Sequence, residues 1–293
     1  MAKKALLFVN EKKPAAANLA EKICENLKSR DFTADIFSFV EKTESFSSDH
    51  SKAVSPSDLG ISLGGDGTVL FASRILAPLG VPIIPVNLGT LGFIAAVLPS
   101  QWEQTFNQWI LGKAVISRRL MLDVSVERDG KTIFQNCCLN DAVVSAAGIA
   151  KLVRLELAAE TATGEKIELG RFRADGLIVA TPTGSTGYSV AAGGPIIDPE
   201  MNAVIINPIC PFTLASRPIV VPSDERIITL VEKEQRSDVI LTIDGQLTEP
   251  LQSDDRVIIH RSATVLNLIA SDRWAFYRAL RTKLAWSGGE SNA

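Results

Sequence analysis

The chain has 293 residues, with 30 Lys plus Arg against 33 Asp plus Glu, a formal net charge of −3. Apolar residues make up 46% and charged residues 22%, which excludes a disordered chain and, at this length, favours two domains over one. The acidic balance supplies no global field for nucleic acid or an anionic membrane, and no apolar run approaches the ~18–20 residues of a transmembrane helix. Ala5 to Val9 is too short for a signal-peptide core and reads as the start of a first strand, Ala5 to Asn10, so a cytoplasmic protein is expected.

Pro14 then opens a helix in which Leu19, Ile23 and Leu27 recur at four-residue spacing. Thr33 to Phe39 predicts a second strand, and residues 40–58 a polar, Ser-rich loop or short helix. Leu59 to Leu63 reads as a strand running into Gly64-Gly65-Asp66-Gly67-Thr68, followed by a helix over Val69 to Leu79. Val81 to Val86 predicts a further strand despite its prolines, ending at Asn87-Leu88-Gly89. Pro99 to Leu111 forms an amphipathic helix carrying Trp102, Phe106, Trp109 and Ile110. Strands alternating with helices over short loops predict a parallel sheet covered by helices.

The pattern changes near residue 115. Leu122, Val124 and Val126 alternate with polar residues, and Asp129-Gly130 is a hairpin signal. Alternation at Val153, Leu155 and Leu157 is followed by short apolar runs at 177–180, 204–206, 227–231, 239–243, 257–259 and 265–269. This predicts an all-β sandwich. Trp274 to Trp286 is helical, with Phe276, Leu280 and Leu284 four apart, and a lone amphipathic helix after a β domain needs a surface to cover. The expected division is an α/β domain over residues 1–113, with helix 272–287 returning to it, and an all-β domain over 114–271.

Cys24, Cys137, Cys138 and Cys210 match no zinc or redox spacing and read as reduced, mostly buried thiols. His50 and His260 are the only histidines, and both read as structural, so carboxylates are the better-supplied proton acceptors. No metal-ligand spacing is present.

The Gly64–Thr68 turn lies between a strand end and a helix start, where α/β sheets bind ligands. Its glycines let a phosphate approach the backbone, and the helix offers free N–H groups. It is neither a Walker loop nor a dinucleotide fingerprint, and a plain glycine turn with Asp66 or Thr68 as helix cap fits the spacing equally well. A second cluster runs from Asp175 through Thr181-Pro182-Thr183-Gly184-Ser185-Thr186-Gly187-Tyr188-Ser189 to Ala192-Gly193-Gly194-Pro195. Its small donors and acceptors around one Tyr suit a nucleotide's sugar and phosphates; a long self-capping turn is the alternative. Leu139-Asn140-Asp141 pairs an amide with a carboxylate, which can hold a ribose diol or form an Asx turn. Asp244-Gly245-Gln246 reads alone as a hairpin turn.

Taken together, these segments resemble the NAD kinase family. The matching blocks are residues 64–68, 86–89, 91–93, 139–141, 175–178, 181–186 and 192–195, with Pro208-Ile209-Cys210-Pro211, Ser216-Arg217-Pro218 and Asp244-Gly245-Gln246. They lie in order over roughly residues 5–285, and the 181–186 block is the most specific. The resemblance implies an α/β domain and a β-sandwich with the active site between them, a homodimer or homotetramer, ATP and NAD as substrates, and Mg²⁺ as divalent metal. It implies Asp66 as proton acceptor for the adenosine ribose 2′-hydroxyl of NAD, and a phosphate loop of Gly64, Gly65, Gly67 and Thr68. NAD contacts are implied for Asp66, Gly67, Asn140, Asp141, Lys151, Arg173, Asp175, Thr186, Gly187, Tyr188, Ser189, Val190, Ala191 and Gln246.

The chain departs from the family pattern at four places. Gly187 replaces an Ala, Val190-Ala191 replaces a Leu-Ser type pair, Phe212 stands where His is common, and Phe71 stands where some members carry a basic residue. A lipid kinase of the same superfamily and a nucleotide-binding regulator without catalysis are the rival readings. The absence of a polybasic membrane segment weighs against the first, and the intact Asp66 against the second.

Overall fold

The computed structural model describes residues 3–40, 56–90, 92–148, 151–161, 163–213, 215–270 and 273–284. Most of the Ser-rich 40–58 segment, with His50, lies outside them. The described residues fall into two units: those up to Arg119 together with Val265 onward, and Leu120–Thr264.

In unit one the apolar run becomes β1 (Lys3–Asn10), whose Ala5 to Val9 are buried on both faces, as a covered parallel strand requires. Pro14, with its fixed φ and absent N–H, starts α1 (Pro14–Lys28), which buries Ala16, Ala20, Ile23 and Leu27. β2 (Phe32–Phe39), β3 (Leu59–Gly64), α2 (Asp66–Leu76), β4 (Ile83–Asn87) and α3 (Trp102–Ile110) follow. The strands are parallel in the order β2-β1-β3-β4. The order reverses between β1 and β3, so the carboxyl ends of these two strands flank a switch point.

Boundaries shift for local reasons. α2 begins at Asp66, three residues earlier than the apolar pattern suggests, because Gly65 is its extended cap. It stops at Leu76 and continues as a single 3-10 turn, Ala77–Leu79, where Pro78 brings no N–H and Gly80 turns left-handed. α3 starts at Trp102 rather than Pro99. β4 is displaced one to two residues from the predicted 81–86.

Unit two contains β5 (Ile116–Arg128), β6 (Lys131–Cys138), β7 (Asp141–Ala146), β8 (Val153–Glu160), β9 (Lys166–Ala174), β10 (Gly176–Ala180), α4 (Tyr188–Ala191), β11 (Ala203–Ile209), β12 (Ile219–Pro222), β13 (Arg226–Val231), β14 (Val239–Ile243), β15 (Leu247–Leu251) and β16 (Arg256–Ile269). β5 and β16 extend from one unit into the other. One antiparallel sheet has the order β12-β11-β10-β7-β14-β15, and β5, β6, β8, β9, β13 and β16 form the facing layer. The layers share a core that includes Leu122, Val124, Val144, Leu155, Leu177 and Leu241. β5 turns into β6 at Asp129 (φ 51°) and Gly130 (φ 73°), the left-handed pair that the sequence signal requires.

α5 (Arg273–Leu284) closes unit one. It buries Ala275, Phe276, Ala279 and Leu280, and the Phe276 ring lies 6.1 Å from that of Phe93. The four cysteines are unbridged: Cys137 and Cys138 are buried, Cys24 is half-buried and Cys210 is exposed. His260 is exposed, with Nδ1 3.0 Å from the Arg261 carbonyl.

Candidate functional site

The first constellation lies at the carboxyl edge of the parallel sheet in unit one. Asp66 starts α2, but its carboxylate does not cap that helix. It turns to the segment after β4, where Oδ2 accepts the Phe93 N–H (2.9 Å) and Oδ1 accepts those of Ile94 (3.2 Å) and Ala95 (2.8 Å). Asn87 steadies the same segment: Nδ2 donates to the carbonyls of Thr90 and Ala95, and Oδ1 accepts the Gly89 N–H. Leu88 N–H donates to the Gly64 carbonyl at 2.7 Å, tying this loop to the glycine turn. Gly92 is needed for the approach, since a Cβ there would stand 1.9 Å from Asp66 Oδ1. Thr68 is packed against Gly64, with its hydroxyl buried and unpartnered. A carboxylate offers about four acceptor positions, so three N–H bonds leave Asp66 room for one more donor.

The second constellation lies in unit two at the end of the sheet where β7 begins and β10 and β14 end. Asp244, at the left-handed turn after β14, accepts backbone N–H bonds from Leu139 (3.2 Å), Asn140 (2.7 Å) and Asp141 (3.3 Å). Thr181 grips the other side: its N–H donates to the Asn140 carbonyl and its hydroxyl to the Leu139 carbonyl. The Thr181 hydroxyl also accepts the Gly184 N–H at 3.0 Å. Gly184 rests on the Asn140 backbone so closely that a Cβ would stand 2.1 Å from the Asn140 carbonyl oxygen. The 181–186 block is therefore a clamp on Leu139 and Asn140, next to Asp141.

Asn140 and Asp141 are poised to accept and donate. Asn140 Oδ1 is buried without a partner. Asp141 is 4% exposed, and its carboxyl is pushed up to about 7, first by burial and second by the neighbouring Asp244 charge. Gly187 lies over both: a Cβ there would stand 3.3 Å from Asn140 Nδ2 and 3.8 Å from Asp141 Oδ2. Gln246 is buried two residues beyond Asp244. Tyr188 is exposed at the start of α4, whose Ser189 is held by Asn207 Nδ2 donating to the Ser189 carbonyl at 2.9 Å.

Three of the anticipated contacts are positioned by other parts of unit two. β10 runs antiparallel to β7, with Ala180 opposite Asp141 and Gly176 opposite Ser145. Asp175 precedes β10 and Lys151 follows β7, so both lie beyond the end of this sheet opposite to Asp141, whereas Arg173 sits at the end of β9 in the facing layer. Lys151 lines a cavity of about 510 Å³ with Gln235, Arg236 and Ser237.

Sequence reasoning missed three supports. Asp244 reads as an ordinary turn residue because its partners are 103–105 positions away. Asn87 reads as a strand terminus. Asn207 had one legible signal: it is a polar residue inside the otherwise apolar run of β11.

Residues 5–114 match the family model described as the ATP-NAD kinase N-terminal domain, and residues 139–271 the ATP-NAD kinase C-terminal domain. A Treponema denticola protein named NAD kinase is 43% identical over 290 residues, covering 99% of this chain and 98% of the relative. The chain belongs to the ATP-NAD kinase family. An NAD kinase of Geobacter sp. (strain M21) is 37% identical, with 97% of this chain and 99% of the relative covered. The fold matches that of yeast NADH kinase complexed with NADH, with a TM-score of 0.82 at 22% identity over 100% of this chain and 91% of that one. It also matches an NAD kinase from Archaeoglobus fulgidus in complex with ATP, with a TM-score of 0.69 at 26% identity over 94% and 96%.

The departures from the ATP-NAD kinase pattern now have locations. Phe71 is buried against Phe39, with ring centroids 4.4 Å apart, and close to Phe8 and Phe37, so this position supplies packing and no charge. Phe212 is 74% exposed, and its N–H donates to the Arg173 carbonyl at 2.8 Å. Gly187 in place of Ala leaves extra room above Asn140.

Proposed function

We propose that this chain transfers the γ-phosphoryl group of ATP to the 2′-hydroxyl of the adenosine ribose of NAD, giving NADP and ADP. The observation that carries this reading is the Asp66 carboxylate, fixed by three N–H bonds at the strand-order reversal and able to take one further donor. That fourth donor is the ribose hydroxyl. Asp66 accepts its hydrogen bond, aims the oxygen at the donor phosphorus and receives the proton as the P–O bond forms. Three N–H donors temper its basicity, so placement supplies most of its effect.

Gly64, Gly65, Gly67 and Thr68 cradle donor phosphate at the start of α2. Asn140 and Asp141 hold NAD hydroxyls, the Asp141 carboxylate as acceptor. Thr186, Gly187, Tyr188, Ser189, Val190, Ala191 and Gln246 extend that cradle. Among the described residues no group of three or more His, Cys, Asp or Glu is placed to hold a metal. In this reading Mg²⁺ enters as part of the substrate, where ATP phosphate oxygens and waters would hold it and it would neutralise charge on the transferred group.

A homodimer or homotetramer is part of this proposal. Asp175 and Lys151 lie beyond the end of the sheet opposite to Asp141, and in this reading a second copy brings them, with Arg173, to NAD. A cytoplasmic location is supported by the unbridged cysteines. Among the described residues no helix is long and apolar enough to cross a membrane. The deciding assay mixes purified protein with NAD, ATP and Mg²⁺ and scores NADP with an NADP-specific dehydrogenase. No NADP above a protein-free control overturns the reading.

A further inference from the structure

Phosphoryl transfer needs cationic groups on the triphosphate beyond its metal. Residues 64–73, which include the glycine turn, contain no Lys or Arg, and Phe71 is sealed in an aromatic cluster. Arg74, the next cation, lies near the far end of α2 and is engaged in other interactions. The charge must come from a different segment.

The β1–α1 turn supplies a candidate. Its backbone is fixed: the Lys13 N–H donates to the Asn10 carbonyl (2.9 Å), the Lys13 carbonyl accepts the Ala16 N–H (2.8 Å), and Asn10 Oδ1 accepts the Lys12 N–H (3.1 Å). From that base the Lys13 side chain reaches the loop after β4, where Nζ stands 3.7 Å from the position a Cβ on Gly89 would take. Leu88, next to Gly89, is bonded to Gly64 of the glycine turn, and the same loop runs on to the N–H groups that hold Asp66. Three loops, 10–13, 64–67 and 87–90, thus meet at the carboxyl ends of β1, β3 and β4. Lys13 is exposed and makes no ion pair among the described residues, whereas Lys4 is paired with Asp35 and Lys3 lies over the Trp109 ring.

We propose that the Lys13 ammonium binds the phosphate chain of the phosphoryl donor. This assignment rests on the kinase reading above, and it makes the β1–α1 turn a donor-binding element. A strongly hydrated point charge on a flexible stem suits a polyphosphate whose oxygens shift during transfer.

Steady-state kinetics of the full-length enzyme test it. Lys13→Gln raises the KM for ATP about tenfold or more, leaves the KM for NAD within twofold and keeps the melting temperature; Lys13→Arg recovers most of the ATP affinity. Inorganic tripolyphosphate competes with ATP in the wild type and loses that potency in Lys13→Gln, while competition by adenosine is unchanged. Lys22→Gln, which removes one exposed charge from the middle of α1, has no effect. An unchanged KM for ATP in Lys13→Gln overturns the assignment, as does an equal rise in Lys22→Gln or a rise confined to NAD. If the wild type forms no NADP, the kinase reading fails instead; calorimetric titration of tripolyphosphate into wild type and Lys13→Gln then decides the Lys13 assignment, with equal affinities overturning it.

Discussion

Replacing Asp141 by Asn should stabilise the fold and weaken NAD binding at the same time. The Asp141 carboxyl is displaced from 3.8 to about 7 by burial and by Asp244. Between these values the folded protein keeps a proton that the unfolded chain has released, so stability falls as pH rises through that window and levels off above about 7. At 1.36 kcal/mol per pH unit the full cost is about 4 kcal/mol. Asn has the same shape and no charge to bury, so it removes this cost. Thermal unfolding of the ligand-free proteins at pH 5, 6, 7 and 8 reads the effect. The variant should melt above the wild type at pH 8 by on the order of 5–10 °C, and the gap should shrink to roughly a third at pH 5. Meanwhile the KM for NAD should rise by ~10- to 150-fold, the worth of a hydrogen bond to a charged acceptor. In the wild type that KM should improve as pH rises through about 7, when the carboxylate becomes available as an acceptor. A variant less stable than the wild type at pH 8, or a gap independent of pH, would refute the buried-charge account. A steady KM for NAD would remove Asp141 from the binding site.

Asp66→Asn should lower kcat by ~10²–10⁴-fold at saturating NAD, ATP and Mg²⁺. It should also lower the melting temperature, because Asn Nδ2 would face one of the N–H groups of residues 93–95; wild-type turnover would sink the proton-acceptor role. Gly92→Ala places a methyl 1.9 Å from Asp66 Oδ1 and should reduce kcat about as severely without touching substrate; activity within twofold of wild type would contradict the loop geometry. Turnover should vanish in excess EDTA and return with Mg²⁺, in proportion to metal-bound ATP; undiminished turnover in EDTA would show that the donor needs no metal.

Local structure is written along the chain. Continuous apolar runs flanked by Pro14 and the glycine turn specified buried parallel strands and their helices, because these preferences act over a few residues. Alternation after residue 115 and the Asp129-Gly130 pair specified the antiparallel half for the same reason. The motif residues Asp66, Asn140 and Asp141 were legible as chemistry-bearing. What they bond to was not. Asp66 reads as a helix cap, yet it holds N–H groups 27–29 positions away, and Asp244 reads as a turn, yet it fixes residues 103–105 positions away. Lys151, Arg173 and Asp175 match NAD contacts in the sequence, but where they stand relative to Asn140 depends on the register of β10 on β7, in which Ala180 faces Asp141 and Gly176 faces Ser145. These partners follow from strand order and register, which determine which loops share an edge. Neither is written in any window of sequence short enough to read for periodicity.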